Sequence, residues 1–445
     1  MANTLLTGEI NTPTNSKKAT ISGWFKLGKN LLKPQVVLFS AMNSALVYNY
    51  FTIMVENTGY FDIKQRIGST SPGYDIDMTS ERKFLDSSGW YHFCVSIDTT
   101  QEVATNRVKV FINGGLLDAY STRVNPSQDT NLYVADTAYS IQVGGMDNGN
   151  SNYKFDGCMT HLHFIDGEAY NASSFGQVDS LTGSWKLTPA PSVTYGNNGF
   201  FLFKDNSSVT DQSGNSNDLT LSSGTLTSTQ DSPSNVFSSL NAMDWMETRA
   251  IFTNGNNTIL TDDAYTTYST SGYGMYSGKY YMEAKAKSHL APSGNLGSFN
   301  IGLVERVPNA NDHVLGKNEH AYAYRSDDGD KFVNNNNTTF GSTYTTGDII
   351  GVAADIDNNT ITFYKNGVSQ GSISIEPVAN TINREYFFAL GDYGATEVTW
   401  EANFGNGYFG TTQVSTPGTN ASGNGIFEFD CPTGFTALST KGLNL

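Results

Sequence analysis

The stretch from Gly347 to Gly367, GDIIGVAADIDNNTITFYKNG, leaves the chain few conformations to choose from. Ile350, Val352, Ala354 and Ile356 alternate with small or polar residues, the period-two pattern of a strand with one buried face. Asp357, Asn358 and Asn359 tolerate positive φ and bond their own backbone, so a turn is predicted there. Ile361 and Phe363 then share one face of a second strand, Thr362 and Tyr364 share the other, and Asn366-Gly367 signals a further turn. The prediction is a β-hairpin. Its grammar recurs in WYHFCVSIDTTQEVATNRVKVFINGG, Trp90 to Gly115. There Tyr91, Phe93, Val95 and Ile97 form one strand face, and Val108, Val110 and Ile112 lead into Asn113-Gly114.

Short β-branched or aromatic runs bounded by Gly, Asn, Ser or Pro continue this pattern at Ala19–Gly28, Val36–Ala41, Tyr50–Asn57 and Tyr60–Ile67. No long stretch repeats its apolar residues with helical period, and charged residues are only 15% of the chain. These observations predict an all-β protein of two antiparallel β-sandwich domains in tandem. The 445 residues suffice for two cores. The Ser/Pro/Asn-rich Asp231–Asn235 is the expected boundary. The expected layout is a polar lead at 1–17, a sandwich at 18–235, a second at 236–412, and a segment at 413–445 that packs on the second. In that last segment Ile426–Phe429 reads as an aromatic strand.

The formal charge is −16. Up to Asn235 there are 15 basic and 21 acidic residues, and beyond it 11 and 21, so neither half has the basic excess that nucleic-acid binding needs. No apolar run reaches membrane-spanning length, and the segment after Met1 is short and polar, so a soluble chain without a signal peptide is expected. Cys94, Cys158 and Cys431 lie far apart and match no zinc spacing. They are expected to be reduced packing residues, with a Cys94–Cys158 bridge as the alternative.

The phrase from Trp90 to Gly115, with FDGCMTHLHFIDGEAYNASSFGQVDSLTGSW (Phe155–Trp185) and DSPSNVF (Asp231–Phe237), resembles the laminin-G-like, concanavalin-A-like lectin domain of bacteriophage virion proteins. SGKYYMEAKAK (Ser277–Lys287), SFNIGLVER, AYAYRSDDGDKFVN, the opening hairpin and YFFALGDYG together resemble a SPRY domain. The resemblance implies two jelly-roll sandwiches. It further implies a virion protein: a tail fibre or receptor-binding subunit recognising host cell-surface glycans, or else a capsid or tail decoration held by other virion proteins. A Ca²⁺ ion on the rim of the first sandwich, a homo-oligomer such as a trimer, and recognition by loops without catalysis are implied with it.

Candidate sites are few. Asp147, Asn148 and Asn150, in VGGMDNGNSN, form an oxygen-rich loop of the kind that suits Ca²⁺, although Asn, Asp and Gly serve a plain turn equally well. Tyr322, Tyr324, Arg325, Asn336 and Tyr344 are expected near a polar loop, where aromatic rings could stack on a ligand. His161 and His163, two apart in a strand, share a face, and the favoured reading is a solvated one. Asp75 and Asp77 alternate like paired catalytic carboxylates, but Glu81 falls out of register, so catalysis is not expected there.

Overall fold

Period-two alternation becomes strand nearly everywhere the sequence carries it. The computed structural model describes all residues except 1, 29–34, 44, 47, 69–72, 148–152, 205–207, 244–249, 262–265, 291–297, 306–312, 382–383, 395–396 and 445. Among the described residues the regular elements are strands and short 3₁₀ turns, and no helix is long and apolar enough to cross a membrane. The chain divides into two compact units: Met1–Leu27 with Leu31–Ser228, and a second built from Thr229–Leu445.

The strands of the first unit are β1 (Ala2–Glu9), β2 (Lys18–Leu27), β3 (Gln35–Met42), β4 (Tyr50–Glu56), β5 (Tyr60–Arg66), β6 (Tyr74–Lys83), β7 (Tyr91–Asp98), β8 (Val108–Ile112), β9 (Gly115–Leu116), β10 (Tyr120–Val124), β11 (Ser140–Val143), β12 (Gly157–Asp166), β13 (Gly176–Val178), β14 (Trp185–Leu187), β15 (Phe200–Leu202) and β16 (Thr220–Thr225). The larger sheet runs β10-β6-β5-β4-β3-β11-β1-β16 and the smaller β15-β12-β2-β7-β8-β9. Phe25, Phe39, Phe51, Phe61 and Phe93 fill the space between them. Ala2–Glu9, expected as part of a polar lead, is instead a strand paired with β11 and β16, with Leu5 and Leu6 buried. Two apolar residues among Thr, Asn and Gly give too weak an alternation to be read locally.

The second unit contains β17 (Ala250–Thr253), β18 (Thr258–Thr261), β19 (Tyr268–Thr270), β20 (Lys279–Leu290), β21 (Ser298–Val304), β22 (Ala321–Arg325), β23 (Asp330–Val333), β24 (Asn336–Thr339), β25 (Ile349–Asp355), β26 (Thr360–Lys365), β27 (Val368–Ser374), β28 (Phe387–Tyr393), β29 (Glu397–Asn403), β30 (Tyr408–Phe409), β31 (Thr412–Gln413) and β32 (Thr436–Ala437). One sheet runs β17-β18-β29-β20-β25-β26-β27 and the other β19-β28-β21-β22-β23-β24. Trp400 is the largest side chain in the core between them, and its indole N–H donates to the Gly391 carbonyl at 2.8 Å.

The two units repeat one topology. In the first, β1-β11-β3-β4-β5-β6 faces β12-β2-β7-β8-β9; in the second, β19-β28-β21-β22-β23-β24 faces β29-β20-β25-β26-β27. Chain order agrees strand for strand once β10 is set aside as an addition. Local devices repeat as well. Asn113-Gly114 and Asn366-Gly367 take φ 49°/78° and 48°/79°, the left-handed pair of a type I′ turn. Each Asn exchanges two hydrogen bonds with a residue at or beside its partner strand's first: Asn113 with His92 (2.8 and 2.9 Å) and Asn366 with Ile349 (2.9 and 2.8 Å). Lys18 pairs with Asp98 across β2 and β7, and Lys279 with Asp355 across β20 and β25.

The smaller sheet of the first unit and its topological counterpart in the second, which is the larger sheet there, each have their outer face covered. In the first unit Phe175, Tyr170, Trp185 and Tyr195 cover Cys94 and Ile165. In the second, Phe427, Cys431 and Ala437 cover Tyr281 and Ala353. There the buried Glu283 carboxylate accepts from the Glu428 N–H at 2.7 Å, the Phe429 N–H at 2.9 Å and the Tyr281 hydroxyl at 3.2 Å. Ile426–Phe429 is therefore an irregular segment pinned by a side chain, not the expected strand. All three cysteines are free thiols.

Candidate functional site

In the second unit, the aromatic residues expected on a polar loop belong to the core. Tyr324 and Tyr344 are buried, and each spends its hydroxyl inside the fold. Tyr324 donates to the Ser342 carbonyl, and Tyr344 to the carbonyls of Tyr324 (2.8 Å) and Phe299 (3.2 Å). Burial pushes the Tyr324 phenol up to about 12. Tyr322 is buried too, and its hydroxyl accepts from the Glu376 N–H at 2.8 Å. Arg325 is only 5% exposed; its guanidinium lies 3.8 Å from the Tyr393 ring centroid and bonds Asp327 at 2.7 Å. Asn336 alone of the five is exposed, on β24 at the sheet edge. The expectation failed because β22 is buried on both faces. One face meets the main core, and the other packs under Leu315, Phe332 and Tyr393. Alternation of Ala and Tyr cannot reveal a covered second face.

An exposed aromatic lies elsewhere in this unit. Three segments meet at one end of the sandwich: residues 271–278, the hairpin turn at 356–359, and the chain after β27. Met275 and Tyr386 exchange backbone hydrogen bonds of 2.7 and 2.9 Å, and Ile375 donates to the Asn359 carbonyl at 2.9 Å. The Gly278 N–H donates to the Asp357 carboxylate at 2.8 Å. Asp357 is thus used for loop geometry. Gly274 is backed by Glu385, whose carboxylate would lie 2.1 Å from a Cβ at that position. On this braced end sits Tyr276, 70% exposed. The sequence holds a signal for it, an aromatic between Met275 and Ser277-Gly278 just before a strand, but no rule separates such a residue from core.

In the first unit, Asp147 is exposed on the rim of an open cleft of about 710 Å³, lined also by Glu9, Asn11, Gln142, Asn198 and Asp218. Its N–H donates to the Gln142 amide oxygen at 2.7 Å. Asn148 and Asn150 lie outside the described residues. Among the described residues no three His, Cys, Asp or Glu side chains are grouped to hold a metal ion.

His161 and His163 do not lie on a solvated face. A register shift between Thr160 and His163 puts His161 at φ 49°, and His163 is 1% exposed, stacked on Phe201 at 4.0 Å with Nδ1 2.8 Å from the Tyr195 hydroxyl. Burial holds His163 well below the usual imidazole range. Asp75 accepts from the Gln65 amide at 3.3 Å, Asp77 lies opposite Lys64, and Glu81 is exposed further along β6. A group that was missed surrounds Lys64, which lies 2.7 Å from Asp62 and 3.6 Å from Glu56. Its signal is the alternation in YFDIKQR, which puts Asp62, Lys64 and Arg66 on the face away from the core.

Residues 279–388 match the SPRY domain family model. These residues are a SPRY domain. Curated relatives match a part of this chain. Ran-binding protein 9 of Danio rerio is 38% identical over 21% of this chain and 15% of that protein. The Homo sapiens protein of the same name is 38% identical over 21% of this chain and 12% of its own length. The Drosophila melanogaster Ran-binding proteins 9/10 homolog is 38% identical over 21% and 9%. The chain thus spans less than a fifth of these relatives. Among solved structures, the SPRY domain of human HERC1 is 21% identical over 34% of this chain and 91% of that chain, with a TM-score of 0.29. A further human SPRY domain is 23% identical over 33% and 90%, with a TM-score of 0.25.

The animal Ran-binding proteins overturn the expectation of a virion protein. A tail fibre or decoration role, virion proteins and host-cell glycans as partners, and a location on a virion all fall with it. The physical reason is that hairpins and Asn-Gly turns encode the sandwich. Such a fold serves unrelated functions and carries no information about which particle or cell holds it.

Proposed function

We propose that this chain acts by binding and not by catalysis, and that its SPRY domain docks a polypeptide at the loop end bearing Tyr276. The observation that supports this most is the match of residues 279–388 to SPRY domains, beside 38% identity over 95 residues of this chain to proteins named for binding Ran. Geometry adds that a large aromatic stands out on loops held by backbone hydrogen bonds, so little ordering is needed on docking. The first unit we read as a laminin-G-like sandwich, on its sequence phrases and on the strand order it shares with the second.

Ran is the first partner to test, with a displayed random peptide library beside it. Tyr276→Ala should weaken binding of whatever is captured by about tenfold or more, as loss of a central aromatic anchor does. Equal affinity of the variant and the parent would remove Tyr276 from the docking surface.

A further inference from the structure

At one end of the larger sheet in the first unit, a row of cross-strand neighbours holds an arginine without an acid. Tyr50 of β4 lies opposite Arg66 of β5, and Arg66 lies opposite Tyr74 of β6. Arg66 follows Asp62 and Lys64 along the face away from the core. Its guanidinium carbon is 5.2 Å from the Tyr48 ring centroid and 5.8 Å from that of Tyr74. A hydrogen bond to the Tyr50 hydroxyl pushes Arg66 above its ordinary value, so the group is charged at any working pH. Among the described residues its partners are tyrosines, and no carboxylate bonds it. Three tyrosines thus hold a cation that no acid neutralises. A guanidinium fork held in place in this way is suited to receive a carboxylate through two parallel hydrogen bonds.

Apolar surface adjoins this cation. Leu46, Tyr48 and Ile67 are each about half exposed, on the loop between β3 and β4 and the loop between β5 and β6. Both loops are held by hydrogen bonds. The Asn43 side chain accepts from the Ala45 and Leu46 N–H groups at 2.9 and 3.2 Å, and the Asn49 N–H donates to the Leu46 carbonyl at 2.7 Å. The Gly68 N–H donates to the Asn49 side chain at 2.8 Å, which ties one loop to the other. Tyrosine and arginine beside exposed aliphatic side chains make the composition of a protein-binding hot spot. The place is telling as well. The row of Arg66 continues through Met42 and Ser140 to Glu9 at the end of β1. In the repeated topology β1 is the counterpart of β19, whose end leads to Tyr276. The exposed aromatics of the two units therefore stand at corresponding ends.

We propose that this end of the first unit binds an acidic polypeptide segment, with an Asp or Glu carboxylate on Arg66 and an adjoining Leu, Ile or Phe side chain against Leu46 and Tyr48. Charge selects the occupant. Arg66 is the one ionised side chain of the platform, so a basic segment is repelled and a neutral one leaves the guanidinium unpaired. A two-fold pair of copies through this end would bring two such patches, and so two cations, together, which like charge disfavours. This reading concerns the first unit alone and does not rest on what the SPRY domain docks.

The test pans a displayed random peptide library against the full chain and against its Arg66→Gln variant, with equal thermal midpoints as the check that the variant folds. Peptides that the parent retains and the variant loses should be enriched at least ~3-fold, over the starting library, in Asp or Glu next to Leu, Ile or Phe. The best such peptide is then synthesised, with a second form in which its acid is replaced by the amide. Fluorescence anisotropy should show the amide form binding the parent about tenfold more weakly than the acid, and binding the variant equally, since either change removes the same ion pair. Leu46→Ser should weaken both forms alike. No peptide lost by the variant, lost peptides without acidic enrichment, or an Arg66-dependent dimer in sedimentation without peptide would overturn the proposal. Peptides held by the Tyr276 loops stay bound to both parent and variant, so the two docking readings fail separately.

Discussion

Glu283 shows how one side chain fixes a long segment. It is buried on the outward face of β20, and both of its oxygens accept backbone N–H groups from residues 428 and 429. Burial pushes its carboxyl up to about 7 against the pull of those amides. Glu283→Ala should cost about 2–4 kcal/mol, the range for removing a charged acceptor and orphaning its donors. Limited proteolysis should then cut within residues 403–445 while the strands before them survive. Proteolysis unchanged from the parent would mean that the Phe427 and Ala437 packing suffices.

Buried titratable groups give the two units opposite pH responses. His92 is pushed down to about 3 and His163 well below the imidazole range, both by burial. The folded first unit thus excludes protons that its unfolded chain takes up below pH 6.5, and its stability falls on acidification by about 1.4 kcal/mol per pH unit for each histidine. Asp62, pushed up to about 6, offsets part of this between pH 6 and its ordinary value of 3.8. In the second unit Glu283 retains a proton in the fold that the unfolded chain loses above pH 4.5, so lowering the pH from 7 toward 4.5 favours the fold there. Urea titrations at pH 7 and pH 5, read by peptide-resolved hydrogen exchange, should show the first unit's midpoint falling relative to the second's. A common shift would contradict these assignments.

At the scale of elements, the hairpins were legible and the sheet neighbours were not. Asn113-Gly114 and Asn366-Gly367 demand left-handed backbone, and that demand is written in two adjacent residues. Asn113→Ala and Asn366→Ala should each cost about 1–2 kcal/mol, because both lose the αL preference and the side-chain bond to the partner strand. Matching losses in chemical denaturation are expected, since the devices match; a large loss at one site and none at the other would show that the hairpins are not equivalent. By contrast, the pairing of β1 with β11 and β16 joins residues more than a hundred positions apart, and no local pattern encodes it. Burial of both faces of β22 was hidden for the same reason, and with it the core role of Tyr322 and Tyr324. The site residues were less legible still. Asp147 does line a cleft, but the Asp62–Lys64 group and the exposed Tyr276 depend on which faces are covered, and that follows only from the assembled sheets.

As a whole, the molecule uses one topology twice, with the outer face covered on the sheet that holds β2 and on the sheet that holds β20. The loop end of the second unit stands open, with Tyr276 exposed on it. The claim that the SPRY domain is the docking unit is tested most directly by hydrogen exchange on the full chain, alone and saturated with a captured polypeptide. Protection confined to residues 271–278, 356–359 and 375–381 is the predicted result. Protection that spares these loops and falls elsewhere in the second unit would contradict it.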